Sequence, residues 1–244
     1  MSEYRLLQAT LAIRKEASHR SELINQLLYG ERFDVISQES GWIKIKSQHD
    51  QYIGWADENI IMELNPEIES QNMISKSIAE INYKEEIYLL PFGSMCPVFM
   101  LKHNRNKNDF IIPGLSIPNS ISIIKNQFHN APYLWGGRTS LGIDCSGLSQ
   151  LYARCLGIQL QRDTSQQVNE GVHVSKYEDK LEGDLIFFKN DQQRICHVGI
   201  YLGDSKILHA SGKVRIDLLT LNGIIHVQTG KLTHQFAEIR RIVV

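Results

Sequence analysis

The chain has 244 residues, 26 of them basic and 27 acidic, for a net charge of −1, and 42% of its residues are hydrophobic. This balance excludes nucleic-acid or membrane-surface binding driven by bulk electrostatics, and no apolar run approaches the roughly 20 residues of a transmembrane helix. The length suits one large domain or two to three small ones, and the four cysteines, Cys96, Cys145, Cys155 and Cys196, are spaced for neither a zinc motif nor a disulfide framework.

Met1-Ser2-Glu3-Tyr4-Arg5 is polar, and the apolar stretch after it is short and broken by Arg14-Lys15-Glu16. That is not the pattern of a secretory leader, so the expected location is cytoplasmic, with the cysteines kept reduced. Residues 1–64 carry short alternating or apolar runs between turns: Ala9 to Ile13, Arg32 to Ile36, Trp42 to Lys46 and Tyr52 to Ala56. They read as one small all-β domain. Residues 65–118 read as a second, divergent β-barrel with a linker. Leu89-Leu90-Pro91-Phe92-Gly93 and Val98-Phe99-Met100 echo Leu27-Leu28-Tyr29-Gly30 and Val35-Ile36, with a one-residue shift. The polar tract from Lys102 to Asp109 reads as a solvated hairpin tip.

Pro113-Gly114 and Pro118-Asn119 mark the passage into a third region, residues 119–244, where Ser120 is expected to cap a helix running to about His129. Gly136-Gly137 and Gly142 indicate irregular backbone, and Asp144-Cys145-Ser146-Gly147 follows. Leu148, Leu151, Tyr152, Cys155 and Leu156 then recur at spacings of three and four, the stripe of a buried helix, with Gly157 placed as its C-terminal cap. Cys145 therefore falls in the first helical turn. There, unpaired N–H groups and the helix dipole favour an anion, and a neighbouring imidazolium would lower a thiol that ordinarily titrates near about 8.5. The alternative is an inert buried thiol behind an Asp144 or Ser146 cap.

Downstream, Asp184 to Phe188, His197 to Leu202 and Lys206 to Ala210 read as strands, with turn chemistry at Gly203-Asp204-Ser205. Arg240 to Val244 is expected to end the last strand. Helices followed by an antiparallel sheet make an α+β domain. A hairpin centred on Gly203 places His197 and His209 opposite each other on one face. A two-residue loop would instead send His209 to the other face, so the function requires an odd loop or a bulge. On that register His197 can take the thiol proton and His209 can hold its ring. Cys196 points to the other face of its strand, which speaks against a metal site with His197 and His209. No metal or cofactor is expected.

Tyr133-Leu134-Trp135-Gly136-Gly137, Asp144-Cys145-Ser146-Gly147, Gly183-Asp184-Leu185 and His197-Val198-Gly199-Ile200-Tyr201 stand in the order of the signature blocks of NlpC-type bacterial cell-wall peptidases. The segment from about Asn119 to Val244 resembles that papain-like group. The resemblance implies Cys145 as nucleophile, His197 as base and His209 as orienting residue, with Tyr133 close to the thiol. Arg14, Ser21-Glu22, Leu27 to Glu31, Gly41 to Ile45 and Tyr52 to Trp55 resemble a bacterial Src-homology-3-like barrel. Such a barrel ahead of an NlpC-type domain resembles the dipeptidyl-peptidases that trim peptidoglycan stem peptides.

That likeness implies a bond cut between γ-D-glutamate and lysine or meso-diaminopimelate, on a short muropeptide with a free N-terminal L-alanine, in peptide recycling. It also implies that Asp163 grips the substrate amine, with Ser146 and Asp144 contributing to the same pocket. An ammonium entering a partly dry cleft needs a charged acceptor. Asp163 is equally placed to cap the helix of Ser165-Gln166-Gln167. Two other classes stand beside the peptidase: a thioester-forming amidase or acyltransferase on the same fold, and a non-catalytic wall-binding protein.

Overall fold

The computed structural model of the chain describes residues 3–64, 71–102 and 109–242. Most of the tract expected as a hairpin tip, residues 103–108, lies outside them. The backbone gathers into two compact units. One comprises Met1–Pro113 with Leu134–Gly142, the other Gly114–Tyr133 with Ile143–Val244. No helix among the described residues is long and apolar enough to cross a membrane.

The first unit opens with seven strands: β1 (Glu3–Leu6), β2 (Thr10–Arg14), β3 (Leu23–Leu28), β4 (Arg32–Glu39), β5 (Trp42–Ser47), β6 (Ile53–Asp57) and β7 (Met62–Leu64). They form one antiparallel sheet in the order β3-β2-β6-β5-β4-β1-β7. The two-residue side-chain period explains its core: Leu11 and Ile13 of β2 turn inward to meet Leu27, Phe33, Ile43, Ile45 and Ala56. Strand β3 is missing from the sequence reading because Asn25 interrupts its apolar run. Asn25 is fully buried and donates to Asp50 at 3.3 Å.

Next come β8 (Gln71–Ile74), β9 (Ile78–Tyr83), β10 (Glu86–Pro91), β11 (Met95–Pro97), the one-turn helix α1 (Val98–Leu101) and β12 (Phe110–Ile111). Strands β9 and β10 make a hairpin whose two loop residues, Lys84 and Glu85, both have positive φ, as a tight two-residue turn demands. Strands β11, β8 and β12 form a second small sheet. Ile74, Ala79, Ile81, Leu90, Cys96 and Met100 share a core with Tyr29.

Segment Leu134–Gly142 also belongs to this unit. Trp135 Nε1 donates to Glu22 at 2.8 Å, and the fully buried Arg138 makes a two-pronged ion pair with Glu31, both contacts at 2.9 Å. At Gly136, with φ of +76°, an added Cβ would lie 2.5 Å from the Leu23 carbonyl, so only glycine fits. The residues just ahead of the nucleophile are thus fastened to the β-rich unit. A short pairing of β13 (Arg138–Thr139) with β14 (Gly142–Ile143) closes the segment.

The second unit holds α2 (Ile117–Phe128), α3 (Cys145–Cys155), α4 (Thr164–Gln167) and seven strands: β15 (Val172–His173), β16 (Leu185–Lys189), β17 (Ile195–Tyr201), β18 (Lys206–Ser211), β19 (Lys213–Thr220), β20 (Gly223–Ile225) and β21 (Leu232–Arg241). Helix α2 begins four residues earlier than expected. Pro118 occupies its first turn, where a missing N–H costs nothing, Ser116 is the N-cap, and Ser120 is buried inside the helix. The sheet runs β15-β21-β16-β17-β18-β19-β20, and β20 also pairs with β21, so six strands close on themselves. Helix α3 is buried along its whole length and packs on β17 and β18. Gly157 follows it at φ +80°, the left-handed stop expected of it. The last strand ends at Arg241, and residues 243 and 244 lie outside the described residues.

Candidate active site

Cys145 is the first residue of α3, and Asp144 is its N-cap, accepting a hydrogen bond from the Gly147 N–H at 2.7 Å. The Asp144 carboxylate is also clamped by Arg162, at 3.0 Å to Oδ1 and 2.6 Å to Oδ2. The same guanidinium donates to Ser146 Oγ at 2.6 Å. All three residues are buried. Asp144 and Ser146, expected in a substrate pocket, are therefore engaged in fixing the helix start. Behind them, fully buried Gln167 of α4 donates to the Ser146 carbonyl at 3.1 Å and accepts from Ser149 Oγ at 2.6 Å, tying α4 to α3.

Asp163 is half-buried at the start of α4. Its backbone N–H donates to Gln166 Oε1 at 3.3 Å, part of a capping box, which is the structural role foreseen for it. Tyr133 hydrogen bonds through its N–H to the Gly212 carbonyl at 3.0 Å. Burial raises its phenol, and the neighbouring Cys145 and Asp144 add to the shift. Tyr133 therefore lies near the thiol.

The hairpin of β17 and β18 corrects the expected register. Gly199 pairs with His209, Ile200 with Leu208 and Tyr201 with Ile207, around a three-residue loop, Gly203 to Ser205, in which all three residues have positive φ. The centre is Asp204 rather than Gly203, so His197 and His209 are diagonal, not opposite. An odd loop preserves parity, and both side chains share one face. Gly199 makes the diagonal meeting possible. A Cβ there would come within 2.7 Å of Ile207 and 3.1 Å of the His209 Cβ.

His197 Nε2 lies 2.8 Å from His209 Nδ1, and His209 Nε2 lies 3.0 Å from Asp217 Oδ2. The carboxylate fixes the protons: His209 donates from Nε2 to Asp217, so its Nδ1 accepts from His197 Nε2–H. That leaves Nδ1 of His197 as the unprotonated nitrogen, ready to accept from a thiol. The backbone of the adjacent Val198 lies near enough to the Cys145 thiol to lower it, and α3 packs on β17, the strand that carries His197.

Asp217, on β19, is absent from the sequence reading. Burial alone would raise its carboxyl, but hydrogen bonds from His209, from the Val227 N–H at 3.0 Å and from Arg215 at 2.7 Å hold it far below the usual range. Arg215 also donates to the Ser211 carbonyl. The available signal was an acid inside an apolar strand pattern, Val214 to Leu219, where aspartate is disfavoured unless partnered. Arg162 is the second omission. It stood beside Asp163 in the sequence but drew no role of its own.

Electrostatics depart from the expectation of a depressed thiol. Burial pushes Cys145 up to about 12, reinforced by Asp144. The N–H groups of Val198 and Ser146 and the Arg162 charge pull only partly the other way. Burial also carries His197 well below its ordinary value, helped by His234, His209 and Arg215. Burial thus disfavours the charged forms of both the thiol and the imidazole. Cys155 and Cys96 are also buried and raised by burial to about 12, whereas Cys196 is exposed.

A buried thiol at the start of a helix that packs on the strand of His197, itself steadied by a second histidine, defines a papain-like cysteine peptidase. Comparisons with known proteins agree. The pattern of the NlpC/P60 family matches residues 130–233, and that of the bacterial dipeptidyl-peptidase Sh3 domain matches residues 13–59. The probable endopeptidase NlpC of Escherichia coli is 37% identical over 107 residues, covering 41% of this chain and 69% of that protein. The γ-D-glutamyl-L-lysine dipeptidyl-peptidase of Bacillus subtilis is 29% identical over 82% of this chain and 77% of its own. The crystal structure of an NlpC/P60 family protein from Bacillus cereus superimposes with a TM-score of 0.82 over 99% of both chains at 22% identity, which establishes the fold. The chain belongs to the NlpC/P60 family of cysteine peptidases.

Proposed function

We propose that this chain is a dipeptidyl-peptidase that hydrolyses the γ-D-glutamyl–diamino acid bond of peptidoglycan stem peptides bearing a free N-terminal L-alanine. The observation that carries this reading is the buried hydrogen-bonded line from His197 through His209 to Asp217, beside the Cys145 thiol. Cys145 attacks the γ-glutamyl carbonyl as its proton passes to His197 Nδ1, and the backbone N–H at the α3 N-terminus receives the oxyanion. His197 then protonates the departing amine. Water, deprotonated by His197, hydrolyses the thioester and releases L-Ala-D-Glu.

Asp163 grips the ammonium of the substrate, and Tyr133 lines the space beside the thiol. Lysine is the first diamino acid to test, because the Bacillus subtilis relative is named for it. A cytoplasmic setting is part of the proposal and is supported by four unpaired cysteines, which such a compartment keeps reduced. There the reaction would serve peptide recycling.

Incubation with L-Ala-γ-D-Glu-L-Lys, free and N-acetylated, tests the reading. Release of dipeptide from the free peptide alone is the expected result. Equal cleavage of both removes the role of Asp163, and cleavage of neither removes the substrate class.

A further inference from the structure

Three imidazoles converge on the sheet of the second unit, and only two of them belong to the hydrogen-bonded line. His197 of β17, His209 of β18 and His234 of β21 each place one ring nitrogen within 4.8 Å of the others. His197 and His209 are buried, and half-buried His234 gives the group its access to solvent. The rings of His234 and His197 stack with centroids 4.1 Å apart. Nothing in the peptidase mechanism uses His234.

We propose that His197, His209 and His234 form a binding site for a zinc-class divalent cation, and that the bound ion switches the peptidase off. Imidazole nitrogen is a preferred ligand for zinc, and three histidines with one water complete a tetrahedral shell. Zn–N bonds of about 2.0–2.1 Å set ligand nitrogens roughly 3.3–3.5 Å apart. The present separations, 2.8 Å between the first two and at most 4.8 Å within the trio, bracket that value. The stacked ring of His234 must turn out of its parallel alignment with His197 for both to aim a nitrogen at one ion.

The outer shell is already in place. Asp217 accepts from His209 Nε2 at 3.0 Å, which turns the unprotonated Nδ1 of His209 toward the trio. A carboxylate behind a ligating histidine is the arrangement that orients such ligands and raises their basicity. Asp217 also neutralises Arg215, whose charge acts on all three imidazoles, through its 2.7 Å ion pair. Calcium and magnesium want oxygen ligands, which the trio does not offer.

The consequence for catalysis follows from proton placement. Coordination through Nε2 of His197 breaks its hydrogen bond to His209 and moves the ring's single proton to Nδ1. No proton leaves the ring, but Nδ1 loses the lone pair that would take the thiol proton. Zinc occupancy and peptide cleavage then exclude each other, and a chelator restores activity. This consequence rests on His197 being the base, whereas the binding itself does not.

The test is isothermal titration of zinc chloride into the Cys145→Ala protein, which removes the thiol as a ligand. One saturable site is expected, weakened at least tenfold by His234→Gln and likewise by His209→Gln. It should be unchanged by His129→Gln at the exposed end of α2. Cobalt in place of zinc should give the visible absorption of a four-coordinate ion. Absence of saturable binding, or affinity indifferent to both His234→Gln and His209→Gln, overturns the site. Zinc bound at the trio without loss of wild-type peptidase activity overturns the switch. Failure of the unblocked tripeptide to be cleaved at all strikes the proposed function and leaves the titration unaffected.

Discussion

On the helix side of the site, the thiol is positioned by Asp144, Arg162 and Ser146, around a buried guanidinium that holds its charge at every working pH. On the sheet side, the base is positioned by His209 and Asp217, with His234 stacked against it, and three of these four groups titrate near neutrality in water. One side is thus a permanent electrostatic clamp and the other a line of proton carriers. The division suits a reaction in which the sulfur must stay in place while a proton moves, and it means that the two sides should fail in different ways.

The sharpest separation comes from the reacting groups themselves. Cys145→Ala should remove turnover by at least about a thousandfold while leaving the unfolding midpoint near that of the wild type, because the change falls at the helix start and keeps the Asp144 cap. His197→Ala should cost on the order of 10²–10⁴ in kcat, the usual weight of general acid–base catalysis. Steady-state assays on the unblocked tripeptide check both.

The clamp should be tested through stability. Arg162→Met leaves the Asp144 carboxylate buried without its ion partner and should cost about 3–5 kcal/mol. Urea denaturation reads this, and Arg162→Lys should recover only part, because an ammonium cannot make the two-pronged contact. If Arg162→Met unfolds at the wild-type midpoint, the clamp is not what fixes the helix start.

On the sheet side, Asp217→Asn weakens a charge-assisted hydrogen bond worth about 1.5–3 kcal/mol and should lower kcat roughly 10–100-fold with little change in KM. The pH profile should also move, since His209 would lose the carboxylate that fixes its tautomer. A variant with wild-type kcat and pH profile would reduce Asp217 to a packing residue.

The smallest effect is in the pH dependence of stability. Burial lowers His197, His209 and His234, the last to about 4. Their folded values lie below the unfolded value of about 6.5, so the unfolded chain binds more protons as the medium is acidified. Stability should therefore be full above pH about 6.5 and fall progressively toward pH about 4. The depressed Asp217 carboxyl adds its own loss only below its unfolded value of about 3.9. Thermal melts from pH 7.5 to 4.5 check this, and the slope should shrink in His234→Gln. A flat profile would place the histidines in a wetter environment than the structure gives them.

Much of the catalytic arrangement could be read from residue order because local chemistry dictates it. The periodic stripe after Cys145 and the glycine at position 157 bound one helix, and an odd turn at Gly203 to Ser205 keeps two histidines on one face. The two-residue error in register arose because turn residues with positive φ are interchangeable among Gly203, Asp204 and Ser205, and only the folded pairing chooses the centre. Asp217 stands on the strand next to that of His209 and left only the weak signal of an acid within an apolar strand. His234 reaches the site from β21 through closure of the sheet, which no local pattern encodes. Helix position is legible in sequence, while the depth of burial that pushes the thiol up is not. The attachment of Leu134–Gly142 to the β-rich unit likewise depends on Glu22, Gln26 and Glu31, more than a hundred residues earlier.

The measurement closest to the central claim is mass spectrometry of enzyme quenched during turnover of L-Ala-γ-D-Glu-L-Lys. The account predicts an L-Ala-D-Glu adduct on the peptide that contains Cys145 in the wild type, and no adduct in His197→Ala. An adduct on another residue, or dipeptide release by Cys145→Ala at the wild-type rate, would contradict it.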